Sequence, residues 1–384
     1  MGIATKPESA SPTVHPLRRV ATLVKANPLF VSIFVAGVIL RVMTSLAYQP
    51  ALLLQRDAYA YLRYAFETSP AGFRPVFYSI LIKPLLVFGE LAVIPAVQHA
   101  VGLGIGMLLF ALLRRLGVRP NLAALGAAPV LLDGYQLIIE QYILTETFFE
   151  ALMVGALALM VWRERPSPAA VALAGVLLAL AALTRFVGVA LIGPAILYTV
   201  LKRMGWLRLA ALIVSFAAPL AAYSLWVESS TRRFGLTHRN GFFLYGRVAS
   251  FADCDVVEIP QHERFLCLER PPPEGFAARG AFSLEIPKSF RDSPRGNALM
   301  LDFSRRMILA MPVDYTLVVV TDLLRFFSWT PPPSQEPNVA RWRFPRSLSE
   351  ADPLPLIDRL GGSPPPGLGL RDEFRIDPVL GGVL

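Results

Sequence analysis

Residues 56–64 read RDAYAYLRY and follow shortly after the first long apolar run of the chain, Pro28 to Tyr48. The stretch carries one carboxylate, two guanidinium groups and three phenol rings. An apolar run of about 20 residues is long enough to cross the hydrocarbon core of a bilayer as a helix. Further membrane-length apolar runs follow. The pattern therefore predicts an all-α polytopic membrane protein whose first polar loop lies at residues 49–72.

The overall composition supports a membrane location. The chain has 384 residues, of which 54% are hydrophobic and 17% are charged, whereas a soluble domain carries about 25% charged residues. The net charge of +9 comes from basic residues spread between apolar runs. They form no basic face interleaved with aromatic residues, so we predict membrane lipids and not nucleic acid as partners.

Basic residues set the predicted orientation. Three of them between residues 18 and 25 precede the first apolar run, so the positive-inside rule places a tail of residues 1–28 in the cytoplasm. The clean apolar run 91–113 ends in Arg114 and Arg115. These arginines lie on the cytoplasmic side only if the preceding segment 73–89 does not cross the membrane. We therefore predict that 73–89, interrupted by two prolines and two basic residues, is interfacial or re-entrant.

About seven transmembrane helices follow from this assignment. They are predicted at residues 28–48, 91–113, 120–138, 141–162, 168–184, 186–201 and 206–227. The transmembrane domain, residues 29–228, would include an outer catalytic loop at 49–90. Residues 229–384 would form a small mixed or irregular extracytoplasmic region with a Pro-rich tail. Within it we predict an amphipathic helix near 305–329, with an eighth span as the alternative.

The chain has two cysteines, Cys254 and Cys267, and both lie in this polar region. They cannot form a zinc site without further ligands at suitable spacing. A disulfide is expected if the region is extracytoplasmic, and two free thiols are the alternative. No cofactor and no metal ligand are predicted, and a divalent cation is left open because the outer loop shows no tight carboxylate pair.

Ionisable residues in or near the predicted spans are candidates for function because they are costly in a membrane. Most of them fall at the outer face on the predicted topology: Asp57, His99, Asp133, Glu140, Glu146 and Arg185, with Glu150 placed deeper. A carboxylate on the outer loop can accept a proton from an acceptor hydroxyl. An arginine at the membrane boundary can bind a phosphodiester. Together they suit transfer of a group from a lipid phosphate.

Each candidate also has a structural interpretation. Asp57 can cap a loop helix, the tyrosines can form an aromatic belt, and Arg185 can extend to lipid headgroups. Glu140 and Glu146 can pair with Arg185 or His99 as structural ion pairs. His99 can be a hydrogen-bonded packing residue, and Arg74 an interfacial anchor.

Several motifs together resemble the lipid-carrier-dependent glycosyltransferases of the GT-C superfamily. They are Asp57 in an outer loop, GFRPVFY at 72–78, LLRRLG at 112–117, EQYILTETFF at 140–149 and LTR at 183–185. Members of this superfamily include the protein O-mannosyltransferases, the aminoarabinose transferases of lipid A, and bacterial relatives that act on envelope glycans.

The resemblance implies inverting transfer of a sugar from a polyprenyl-phosphate donor to an extracytoplasmic glycan, lipid or protein in the plasma membrane. It assigns the general base to Asp57, the arginine at the donor phosphate to Arg185, and the acidic residue that opens the fourth span to Glu146. We assign Arg74 to the donor phosphate as well. The predicted substrate-binding residues are Tyr59, Tyr61, His99, Glu140 and Glu146.

Two alternatives come from other functional classes. The same charges could line the path of a non-enzymatic transporter or lipid-binding protein. The chain could also be an inactive, truncated relative of the glycosyltransferases. A transporter is expected to show repeat-related halves with broken helices at corresponding positions, and we find no internal repeat in the sequence.

Overall fold

The computed structural model describes residues 27–53, 55–67, 70, 74–268, 286–291, 293–325 and the pair 375–376. The predicted cytoplasmic tail lies almost wholly outside these residues, as do the Pro-rich tail and the end of the segment 305–329. Three helices in the described residues are long and apolar enough to cross a membrane, or up to five if each bent helix pair is one span. The protein is therefore an all-α polytopic membrane protein, and the count of seven spans stays a prediction.

The helices in the N-terminal half begin and end close to the predicted apolar runs. They are α1 (Pro28–Ala47), α2 (Gln55–Glu67), α3 (Phe77–Ile82), α4 (Val93–Arg115), α5 (Pro120–Leu132), α6 (Gly134–Gln141) and α7 (Glu146–Val161). A 3-10 helix, Lys83–Phe88, continues α3. Six α-helical residues at about 1.5 Å each and six 3-10 residues at about 2 Å each span about 21 Å, less than the hydrocarbon core. This length is compatible with the interfacial or re-entrant placement of 73–89, which stays a prediction.

The remaining elements follow in the C-terminal half. They are α8 (Pro168–Thr184), a 3-10 helix (Phe186–Leu191), α9 (Ile192–Leu201), α10 (Trp206–Thr231), α11 (Asn240–Val248), a 3-10 turn (Arg264–Leu266), α12 (Lys288–Arg291), α13 (Pro294–Ala310) and α14 (Pro312–Arg325). A two-residue antiparallel pairing joins β1 (Tyr48–Gln49) to β2 (Arg375–Ile376).

Two segments predicted as single helices are each two helices separated by a bend. The predicted span 120–138 is the pair α5 and α6, which bend by 45° at Asp133. Asp133 has extended backbone, and its side chain accepts a hydrogen bond from the Tyr135 amide (3.1 Å), which begins α6. The predicted helix at 305–329 is α13 and α14, which bend by 99° where Pro312 starts the second helix. The bend is compatible with a broken span as well as with a re-entrant pair, so the amphipathic helix and the eighth span both stay predictions.

The chain divides into two compact units. The first contains residues 1–59, 85–177 and 342–384, and the second contains residues 60–84 and 178–341. In the first unit α5 packs against α1 and α4, and α4 also contacts α6 and α7. Phe30 stacks on Phe110 with ring centroids 3.8 Å apart beside a buried cluster that includes Leu131. The predicted domain boundary at residue 228 stays a prediction.

The second unit contains two buried clusters. One joins Val76, Leu183, Tyr223 and Val227. The other joins α11, α13 and the loop between residues 249 and 268. Cys254 and Cys267 form a disulfide across this loop, so the predicted bridge is confirmed and the alternative of two free thiols is wrong.

Close packing between α11 and α13 depends on Gly241. The Asn297 side chain accepts hydrogen bonds from the amides of Gly241 (3.0 Å) and Phe242 (3.3 Å), which ties the start of α11 to α13. A Cβ atom at Gly241 would lie 1.9 Å from the Asn297 carbonyl oxygen. The two helices can therefore approach this closely only because residue 241 has no side chain.

Candidate functional site

The predicted general base lies in the first turn of α2. Asp57 is half-buried there, and a carboxylate near a helix N-terminus is stabilised by the helix dipole. Residues 57, 61 and 64 share one face of the helix because they are four and then three positions apart. Tyr59 lies off this face and is half-buried. The sequence therefore forms a short helix with the acid at one end of a tyrosine stripe.

Tyr61 connects α2 to Arg74 within the second unit. The Arg74 Nη1 atom donates to the Tyr61 hydroxyl at 3.3 Å, and its guanidinium carbon lies 5.8 Å from the ring centroid. The Tyr61 ring contacts the Tyr78 ring edge to face, with centroids 5.0 Å apart. Tyr61 is 6% exposed, whereas Arg74 is half-buried. The tyrosines thus fix a guanidinium that keeps part of its surface exposed.

Arg185 lies at the junction between α8 and the 3-10 helix that follows. Its backbone is extended, and its amide donates to the Ala181 carbonyl at 2.8 Å. Leu183, two residues before Arg185, lies in the same buried cluster as Val76, two residues after Arg74. Both predicted phosphate-binding arginines therefore lie two residues from members of one buried cluster in the second unit, and both are half-buried.

An apolar groove begins next to Arg185. It has a volume of about 750 Å³ and lies in the second unit, where its lining includes Phe186, Val187, Ala190, Phe243, Arg247 and Tyr315. Arg247 also forms an ion pair with Asp322 of α14. The groove thus combines apolar walls with a position directly after a predicted phosphate-binding residue.

Glu146 begins α7 in the first unit and is half-buried. The Thr145 hydroxyl donates to its Oε2 atom at 3.1 Å. The position of Glu146 at a helix N-terminus is favourable for a carboxylate. The predicted helix 141–162 begins at Glu146 and not at residue 141, because residues 142–145 are not helical.

Glu140 lies in the last turn of α6 and is fully buried, whereas the predicted spans 120–138 and 141–162 leave residue 140 in the turn between them. Its Oε2 atom is 2.8 Å from Nδ1 of His99. Of the structural alternatives given for Glu140, the structure shows the pairing with His99. Gly102, one turn further along α4, makes room for the carboxylate, since a Cβ atom there would lie 1.9 Å from Oε1.

The main partner of Glu140 is Arg41, which sequence reasoning missed. Arg41 donates from Nε to Oε2 and from Nη2 to Oε1, both at 2.8 Å. It also donates to the carbonyls of Leu131 (2.8 Å) and Val130 (2.9 Å). Those carbonyls lie at the end of α5, where the break at Asp133 leaves them without helical donors. Arg41 therefore satisfies the helix break and the buried carboxylate together.

One signal in the sequence could have found Arg41. It is an arginine in the interior of the apolar run 28–48, and an ionisable residue inside a span is a functional candidate by default. Its partner, 99 positions away, has no such short-range signal. Among the described residues, no group of three or more His, Cys, Asp or Glu side chains could hold a metal ion.

Fold and site together define a multi-pass helical membrane protein with half-buried arginines in one unit and a buried polar network in the other. Residues 62–227 match the family model described as dolichyl-phosphate-mannose-protein mannosyltransferase. This family is part of the GT-C superfamily, so the match confirms the resemblance drawn from the motifs. Comparison with curated proteins and with solved structures found no match.

The matched segment contains Arg74, His99, Glu140, Glu146 and Arg185, and it begins five residues after Asp57. The family is a glycosyltransferase family, and it indicates a membrane enzyme that uses a polyprenyl-phosphate sugar. The apolar helices also support the membrane location.

Proposed function

We propose that the protein transfers mannose from a polyprenyl-phosphate donor to a hydroxyl group of an extracytoplasmic acceptor, with a protein as the favoured acceptor. The observation that carries the proposal is the family match over residues 62–227. An envelope glycan or lipid is the alternative acceptor. The disulfide between Cys254 and Cys267 supports placing the second unit's loops outside the cytoplasm, because disulfides persist in oxidising compartments.

The reaction is a single displacement with inversion. The acceptor oxygen attacks the anomeric carbon, and the bond from that carbon to the phosphate oxygen breaks. The acceptor proton passes to the Asp57 carboxylate, and polyprenyl phosphate leaves with the bonding electrons. Asp57 suits the role of general base because it is half-buried at the start of α2 and therefore keeps access to a substrate.

Arg185 and Arg74 stabilise the departing phosphate. Each arginine is half-buried and lies two residues from a member of the same buried cluster of the second unit. A planar guanidinium binds two phosphate oxygens at once and remains charged, which favours the transition state as negative charge develops on the leaving group. The apolar groove that begins at Phe186 then suits the isoprenoid chain of the donor.

Differences in burial support different roles for the residues proposed to bind the sugar. Tyr61 is 6% exposed and its ring is covered by Tyr78 and Arg74, so it supports Arg74 and has little surface for a sugar. Tyr59 and Glu146 are half-buried and remain the proposed sugar contacts. Glu140 and His99 are buried against each other, and a supporting role fits them better than direct substrate contact.

A donor panel tests the proposal. Membranes containing the protein are incubated with radiolabelled polyprenyl-phosphate sugars, including mannose, glucose and aminoarabinose derivatives. We expect transfer of mannose to protein, dependent on the expressed chain and lost in a matched Arg185→Ala variant. Binding of the lipid donor without transfer of any sugar would contradict the proposal and favour the lipid-binding or transporter alternative.

A further inference from the structure

The segment that leads into the Asp57 helix is held by more contacts than a surface loop requires. Residues 48–53 connect α1 to α2, and their side chains are mostly buried: Leu52 is 2% exposed and Ala51 is 1% exposed. The Leu52 amide donates to the Gln141 carbonyl at 3.0 Å, and the Ile143 amide donates to the Leu52 carbonyl at 3.1 Å. The connection is thus paired, strand-like, with the end of α6.

Two buried glutamines reinforce this pairing from its two sides. The Gln141 Nε2 atom donates to the Tyr48 carbonyl at 2.6 Å. The Gln98 Nε2 atom donates to the carbonyls of Glu140 and Tyr142, both at 2.7 Å. Gln141 therefore holds the segment 48–53 directly, and Gln98 holds the backbone against which that segment pairs.

The orientation of the Gln141 amide is set by the network behind it. The Nε2 atom of His99 lies 2.9 Å from Gln141 Oε1, and the Nδ1 atom lies 2.8 Å from Glu140 Oε2. With its oxygen bound to the imidazole, the Gln141 amide must direct its NH₂ group at the Tyr48 carbonyl. Arg41 in turn fixes Glu140 through two hydrogen bonds. One chain of contacts thus runs from Arg41 to the segment before Asp57.

We propose that Gln141 and Gln98 are positioning residues for Asp57. The inference rests on the proposed function, in which Asp57 is the general base. The two glutamines touch no reacting atom. They fix the segment 48–53, and this segment determines where α2 begins and therefore where the carboxylate of Asp57 lies. A displacement of about 1 Å at a catalytic group can lower the rate by about 100-fold.

The kinetics of Gln141 variants distinguish a role in positioning Asp57 from a role in packing alone. Gln141→Met keeps the volume and removes both hydrogen bonds, while Gln141→Glu keeps an oxygen for His99 and places an oxygen against the Tyr48 carbonyl. We expect both variants to lower kcat by about 10- to 100-fold while the donor KM changes by less than about twofold. If Gln141→Glu restores wild-type kcat, the contact with His99 is what matters and the proposal is overturned.

Gln136→Met is the matched control. Gln136 is a buried glutamine of the same helix that donates to Glu140 and Glu150 and has no described bond to residues 48–53. This variant measures how much kcat falls when a buried amide is removed from α6 while the hydrogen bond from Gln141 to the Tyr48 carbonyl is kept. We expect its kcat to exceed that of Gln141→Met by about tenfold, and equal kcat values in the two variants would overturn the proposal.

A spectroscopic test needs no turnover. The chain has two cysteines and both form the disulfide, so Asp57→Cys introduces a unique thiol for a nitroxide label. We expect the mobility of the nitroxide at position 57 to increase when Gln141→Met is added. We expect the same mobility as without a second substitution when Gln136→Met is added. An unchanged spectrum in the Gln141→Met background overturns the anchoring. Wild-type sugar transfer by Asp57→Asn would instead contradict the proposed role of Asp57 as general base. The nitroxide spectra would still show whether Gln141 anchors residues 48–53.

Discussion

The ion pair between Arg41 and Glu140 makes a quantitative prediction about stability. The substitution Glu140→Gln keeps the shape of the side chain and replaces one carboxylate oxygen by an NH₂ group. That group faces a donor of Arg41 in either orientation, because Arg41 donates to both carboxylate oxygens at 2.8 Å. At the Oε2 position it also faces Nδ1 of His99. Arg41, which is 2% exposed, is left as a buried charge without a carboxylate.

The magnitude follows from the two bonds that Arg41 makes. A hydrogen bond to a charged group contributes about 1.5–3 kcal/mol, and breaking a buried ion pair costs about 3–5 kcal/mol. Because the amide oxygen retains one bond and Arg41 keeps its carbonyl acceptors, we expect a loss of about 3 kcal/mol, the lower end of that range. The double variant Arg41→Met with Glu140→Gln should be less destabilised than the sum of the single variants by about 2 kcal/mol.

The assay is reversible unfolding in mixed micelles, followed by far-UV circular dichroism. Glu67→Gln is the matched control, since Glu67 also pairs with an arginine but both side chains are about half exposed, at 54% for Arg63 and 47% for Glu67. An exposed pair of this spacing contributes only about 0.3–0.5 kcal/mol. If Glu140→Gln loses no more stability than Glu67→Gln, the buried network does not stabilise the fold as argued.

Two further predictions concern the second unit. Arg185→Lys retains the positive charge but loses the planar guanidinium that can bind two phosphate oxygens at once, so we expect the KM for the donor to rise by about tenfold. An unchanged KM in donor titrations would show that Arg185 does not bind the donor phosphate. Cys254→Ala with Cys267→Ala opens a loop with a sequence separation of 13, which should cost about 3 kcal/mol. Faster proteolysis between residues 240 and 311 would show that loss, and labelling of both wild-type thiols without reductant would refute the bridge.

Much of the fold could be predicted from the sequence. The apolar runs 28–48 and 206–227 correspond to α1, Pro28–Ala47, and α10, Trp206–Thr231, because a membrane-length apolar run has few alternatives to a helix. The break at Asp133 was missed because a single capping residue lowers the mean hydropathy of a long apolar run only slightly. Residues 186–191 were assigned to a span because all six are apolar, and hydropathy does not distinguish the 3-10 helix that they form from an α-helix.

The candidate site could be predicted only in part. The ionisable residues in the spans were found from their cost in a membrane, and the pairing of Glu140 with His99 was among the alternatives. The partnership of Glu140 with Arg41 could not be deduced, because it joins residues 99 positions apart through the packing of α1 against α5 and α6. The anchoring of residues 48–53 depends on backbone pairing that no side-chain pattern encodes.

The most direct measurement of the central claim is mannosyl transfer by purified Asp57→Asn protein from a polyprenyl-phosphate mannose donor. The amide occupies the volume of the carboxylate but cannot accept the acceptor proton. General-base catalysis contributes about 100- to 10,000-fold, so we predict that kcat falls within this range while the donor still binds and the unfolding transition is retained. Transfer within about threefold of wild type would contradict the account, since an essential base cannot be removed at so small a cost.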